Sequence, residues 1–318
     1  MVYFVNVLSA CPETEEALRK LIHVYRVSMS QMKKTLLSLA FAVLIASPGC
    51  SIQKFALRSI DGILDNSMLA IMEEEDLTLA EQSIGSDLKL IDGLIKTDPE
   101  NEKLLFLACE GYTSYALAFA EDSLERARLF YTRARDYGER ALTLRGIPDS
   151  AFHSDAAAMR GALAKLSSED IPYVFWTVSA WGNAVNLERD NPDALASLPI
   201  VNAMMEWVKA KDSTFYNGGP LLYYGIHYGS LPAMFGGNAE LSKSYFERAI
   251  AASDGKFLMT LVYYAKTYAV QTQDEALFKE LLTRVIETPL DVLPEQRLAN
   301  AVAKVKARKL LAQVSELF

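Results

Sequence analysis

Beyond position 50, His153 and His227 are the side chains best suited to acid–base or metal chemistry near neutral pH. Neither has the company such chemistry needs. A zinc hydrolase sets two His four residues apart around a Glu, an acyl-transfer enzyme lifts a Ser on a G-x-S-x-G turn, and a phosphate loop ends its glycines in Lys. None of these patterns occurs, and there is no paired C-x-x-C. "FGGN" at 235–238 has glycines, but it falls between two helical segments and reads as a tight turn. "EEED" at 73–76 has nothing nearby to complete a coordination sphere and reads as a solvated linker. The sequence therefore predicts no catalytic residue, no metal and no cofactor.

One cysteine has a chemistry of its own. "MKKTLLSLAFAVLIASPGC" at 32–50 opens with the cations Lys33 and Lys34 and continues as an apolar run from Leu36 to Ala46. That run suits an export signal and is too short to cross a bilayer as a mature helix. Gly49-Cys50 resembles a lipobox, in which the Cys is acylated and becomes the new N-terminus, although Ser47 and Pro48 depart from the usual residues. The expectation is a periplasmic chain held to a membrane through lipid on Cys50. Cleavage without lipid and a buried apolar helix are the alternatives. Residues 1–31 are expected to be an over-extended gene start, 32–50 the lipoprotein signal, and 51–318 a single helical domain. Cys11 falls in the preface, and Cys109 in "LLFLACEGY" reads as a buried thiol packed as a small apolar residue.

Of the 318 residues, 51% are hydrophobic and 23% charged, a globular profile without a long disordered region. The net charge of -8 argues against a nucleic-acid partner, which calls for a basic surface. No apolar stretch after Cys50 is long enough to span a membrane.

The elements that must position any site are helices. "DLKLIDGLIKTDPEN" sets Leu88, Ile91, Leu94 and Ile95 on one face and closes at Pro99, and "FALRSIDGILDNSMLAIM" sets Ala56, Ile60, Ile63 and Leu64 on another. A long helical pattern from "SLERARLFYTRARDYGERALTL" stops at Gly146 and Pro148, and no run alternates strictly enough to predict a strand. Ser242, Phe246 and Ala249 show the small–aromatic–small spacing of a tetratricopeptide second helix, and Ala127, Tyr131 and Ala134 repeat it. Tyr268 and Pro289 keep the spacing of a later repeat, where Leu277 and Arg284 replace its small residues. The predicted fold is all-α, a tetratricopeptide-like solenoid of degenerate helix-turn-helix repeats whose first helices line a groove.

The richest stretch runs from Tyr216 to Ile250. Tyr224, His227, Tyr228 and Leu231 recur at helical spacing and form an aromatic stripe. Such a stripe is either helix–helix core or the wall of a groove, where Tyr offers apolar area and a polar tip. Tyr263 and Tyr264, and Trp176, Trp181 and Asn183, are candidates to extend that wall. His227 alone reads as a hydrogen-bonded structural residue.

In this stretch, a Gly-Gly-Pro opening, an aromatic helix, "SLPAMFGGNAE" and "YFERAI" resemble the T component (TatT) of tetratricopeptide-associated TRAP transporters. The resemblance covers essentially the whole chain after the signal. It implies a non-enzymatic periplasmic lipoprotein able to form a homotrimer and to associate with the transporter's substrate-binding P component. It also implies a pore or cleft suited to a hydrophobic or amphipathic ligand such as an organic acid. A scaffold that organises envelope proteins without binding a small molecule is the alternative function.

Overall fold

The computed structural model describes residues 61–188, 191–230 and 236–318, together with residues 20, 54 and 57–59. The chain divides into two compact units, Met1–Phe55 and Ala56–Phe318. The first, which includes Cys50 and the segment 32–50 expected to be a signal, lies outside the described residues apart from Lys20 and Lys54. The second is all-helical, with no strand among the described residues.

Its principal helices are α1 (Asp61–Met72), α2 (Leu77–Thr97), α3 (Glu102–Tyr115), α4 (Leu124–Leu144), α5 (Ala156–Leu163) and α6 (Ile171–Leu187). There follow α7 (Leu198–Lys211), α8 (Phe215–Ser230), α9 (Ala239–Ala252), α10 (Met259–Tyr264), α11 (Glu275–Glu287) and α12 (Arg297–Ala312). The ends are written in the sequence. Asp76, from the acidic linker, caps α2 by accepting the Thr78 and Leu79 N–H groups, and Asn238, after the glycine pair, caps α9 by accepting that of Leu241. Beyond α4, Gly146 takes a φ of +101°.

The periodicity of α2 is realised in the buried Leu88, Ile91 and Ile95. On α1 the face differs from expectation, because Ile63 is 64% exposed while Leu64 packs against the core. A short amphipathic pattern fixes that a helix has two faces, and the neighbouring elements decide which one they cover.

Close-packed hairpins form where the small–aromatic–small spacing was read. Phe246 is completely buried, and a Cβ on Gly225 would come within 3.0 Å of its ring. The Ser242 hydroxyl donates to the Gly225 carbonyl at 2.8 Å. Gly225 meets Phe246 and Gly229 meets Ser242, so α8 and α9 run antiparallel. Ala127, Tyr131 and Ala134 are likewise buried where α4 packs antiparallel on α3, with Tyr112 beside Tyr137 and Tyr115 beside Phe130.

The same pairings orient the remaining walls. Gly138 meets Thr177 and Arg128 meets Glu188, so α6 runs against α4 and parallel to α3. Phe175 lies beside Tyr216 and Gly182 beside Tyr223, so α8 is parallel to α6. Tyr216 beside Phe257 and Gly229 beside Thr267 make α10 parallel as well. Four parallel helices therefore share an inner side.

Candidate functional site

On that inner side lies a cavity of about 190 Å³, counted as the space open to the centres of water molecules. Helix α3 contributes Thr113 and Ser114, and the wider π-helical turn that prolongs it, Ala116–Ala120, contributes Leu117 and Ala118. From α6 come Phe175, Trp176, Ser179, Asn183 and Asn186, at the spacing of a single helix face. Tyr223, Ile226 and His227 of α8 face them. Phe257, Met259 and Tyr263 close the side of α10, and Leu298 and Val302 that of α12. Helix α10 also runs into a π-helical turn, Ala265–Ala269. Such turns recur at functional sites because they rotate the side chains that follow.

The opening of α8 is its least regular part. Tyr216, Asn217 and Gly218 take φ of 47°, 58° and 81° in succession, a left-handed turn that costs two non-glycine residues steric energy. Gly218 is required there twice over, by its φ and because a Cβ would lie 3.2 Å from the backbone of Ala249. The turn places the Tyr216 ring edge-on to Trp176 and Phe257, and its hydroxyl donates to the Gln296 side-chain oxygen at 3.2 Å. Burial raises the Tyr216 phenol pKa well above its ordinary value, with the Glu110 carboxylate adding to the effect. Burial does the same at Tyr263, where the second contributor is Glu121.

Trp176, Asn183, His227 and Tyr263 lie in the lining. Tyr224, Tyr228, Tyr264 and Trp181 lie outside it, for a reason of helical geometry. Residues 223, 226 and 227 share one face of α8, whereas 224 and 228 project toward α9. There Tyr224 and Tyr228 stack on Tyr245 with ring centroids 5.2 and 5.9 Å apart, and Lys209 Nζ stands 3.9 Å over the Tyr224 ring. Tyr264 stacks on Phe246 inside the hairpin core. Trp181 donates its indole N–H to the Ser197 hydroxyl at 3.0 Å under the Arg135 guanidinium. Leu231 lies outside the described residues.

Sequence reasoning missed Ser114, Ser179, Tyr216 and Tyr223. For Ser179 a signal existed, because it precedes Asn183 by four residues and so shares its face. Tyr216 sits before the Gly-Gly-Pro, where no helical period applies.

His153 is exposed, stands 4.0 Å from the Asp149 carboxylate and is not among the residues that line the cavity. Cys109 is buried with its thiol pKa pushed up by desolvation, which leaves it unreactive. Among the described residues no group of His, Cys, Asp and Glu could hold a metal ion, and no helix is long and apolar enough to cross a membrane.

Residues 73–318 match the family model of the TRAP transporter T-component. No curated protein matches the chain.

Proposed function

The chain belongs to the TRAP transporter T-component family, and from that membership we propose that it docks the substrate-binding P component and offers its cavity to a hydrophobic or amphipathic ligand. The family is one of transporter accessory subunits, so the site is read as a place of binding and transfer. The observation that supports the ligand reading is the cavity itself. Seven helices contribute to it, α1 and α7 through Met72, Leu198 and Met205, and its lining is aromatic and aliphatic with a few convergent polar tips.

In this reading the parallel helices α3, α6, α8 and α10 are the first helices of a degenerate tetratricopeptide-type solenoid, and α4 and α9 are second helices. The segment at 32–50 exports the chain, and Cys50 carries the lipid that holds it at a membrane in the periplasm. Docking beside an opening of the cavity would let ligand pass to or from the P component without full release into solution. A homotrimer is the expected assembly.

A detergent-solubilised pull-down of the native protein, read by mass spectrometry, tests this proposal. Recovery of a TRAP substrate-binding protein, with this chain starting at acylated Cys50, is the expected result. A chain that comes out alone and begins at Met1 overturns both the export and the docking.

A further inference from the structure

The polar groups of the cavity are arranged in height. Gly182 packs on Tyr223, Tyr264 stacks on the Phe246 ring that covers Gly225, and Cys109 and Thr177 meet at Gly138. Because the four inner helices are parallel and rise about 1.5 Å per residue, these registers bring Ser114, Asn183 and Tyr263 to within about one turn of the same level. Below that level, toward the N-terminal ends of the helices, the lining is Phe175, Trp176 and Phe257.

Ser114, Asn183 and Tyr263 line the cavity, and none of their side chains has a hydrogen-bond partner among the described residues. A polar side chain turned into an apolar cavity is stabilised only by what enters it. None of the described lining residues is a Lys, Arg, Asp or Glu, and His227, the one imidazole of the lining, stacks on the Tyr223 ring. Hydroxyls and a carboxamide together donate and accept, which suits a head group that also does both.

Resting on the reading of this cavity as the ligand site, we propose that it takes an amphipath with an uncharged head. A hydroxyl or carboxamide head would bond to Ser114, Asn183 and Tyr263, with the apolar body lying over Phe175, Trp176 and Phe257. Selection for an ionised carboxylate would call for a permanent cation, and the described lining holds no Lys or Arg.

Calorimetric titration of the purified full chain with decanamide, decanol and ionised decanoate, each below its micelle-forming concentration, tests the proposal. Decanamide and decanol should bind at least about tenfold more tightly than decanoate, a difference of about 1.4 kcal/mol. Asn183→Leu should cost decanamide most of its advantage over decanoate. Ser114→Ala, which removes one atom from a half-buried site, should reduce the advantage by a smaller factor and guards against a folding defect in the first variant. Decanoate binding as tightly as decanamide, or an amide preference that survives both substitutions, overturns the uncharged-head assignment while leaving the cavity as a ligand site. Failure of all three probes to bind overturns the cavity reading itself, and the head-group assignment with it.

Discussion

The Tyr216 hydroxyl donates to the side-chain oxygen of Gln296 at 3.2 Å, across 80 residues of chain. That bond ties the left-handed turn at the start of α8 to the turn before α12, so two walls of the cavity are fixed to each other at its aromatic end. The steric cost of the turn is offset by what it positions, a buried ring against Trp176 and Phe257.

The turn depends on glycine. Gly218→Ala puts a Cβ in a left-handed conformation and against the Ala249 backbone, so it should destabilise the protein by about 1–2 kcal/mol or more. Urea unfolding monitored by circular dichroism measures this. Unchanged stability would show that the turn is not held as described.

Tyr224 and Trp176 should separate stability from binding. Tyr224→Ala removes the centre of the stack with Tyr228, Tyr245 and Lys209 and should cost about 3 kcal/mol while leaving ligand affinity within twofold. Trp176→Ala alters the cavity wall and should weaken ligand binding at least about tenfold in whatever fraction remains folded. Paired denaturation and calorimetry distinguish them, and the reverse pattern would place the site on the outer stack.

How far the site was legible in the sequence is shown by these two residues. Helical period, the Gly and Pro stops and the spacing of Ser242, Phe246 and Ala249 depend on local chemistry, and each can be read without a partner in view. Which face of an aromatic helix turns inward depends on where its neighbours lie, so Tyr224 and His227 could be placed on one stripe although they sit on different sides of α8. On α6, Ser179, Asn183 and Asn186 share one face by spacing alone, whereas the sequence does not separate Trp176, which lines the cavity, from Trp181, which does not. Tyr216 was not legible, since a left-handed turn has no period.

Glu110 makes stability depend on pH. Burial pushes its carboxyl from an ordinary 4.5 up to about 7, with Lys103 working against the shift and Asp65 for it. Between those values the folded chain holds a proton that the unfolded chain has released, so stability falls as pH rises from 4.5 to about 7 and stays lower above it. Glu110→Gln should therefore stabilise by on the order of 1–2 kcal/mol near pH 8, allowing for residual solvent screening, and by little near pH 4. Thermal unfolding across that range checks it, and a gain independent of pH would contradict the assignment.

Thiol chemistry reports on both ends of the account. In a protein that starts at acylated Cys50, Cys109 is the one remaining cysteine and is buried. Titration with a disulfide reagent should find no reactive thiol in the native state and one in denaturant. Two or three thiols in denaturant would contradict the acylated start.

The most direct test of the central claim is ligand transfer. Purified P component loaded with its ligand is mixed with this protein, the two are separated, and the ligand in each fraction is weighed by mass spectrometry. Ligand recovered with this protein, and lost from that fraction in Trp176→Ala, is the predicted result. Ligand that stays wholly on the P component, with no complex between the two proteins, would contradict the assignment of the cavity to transport.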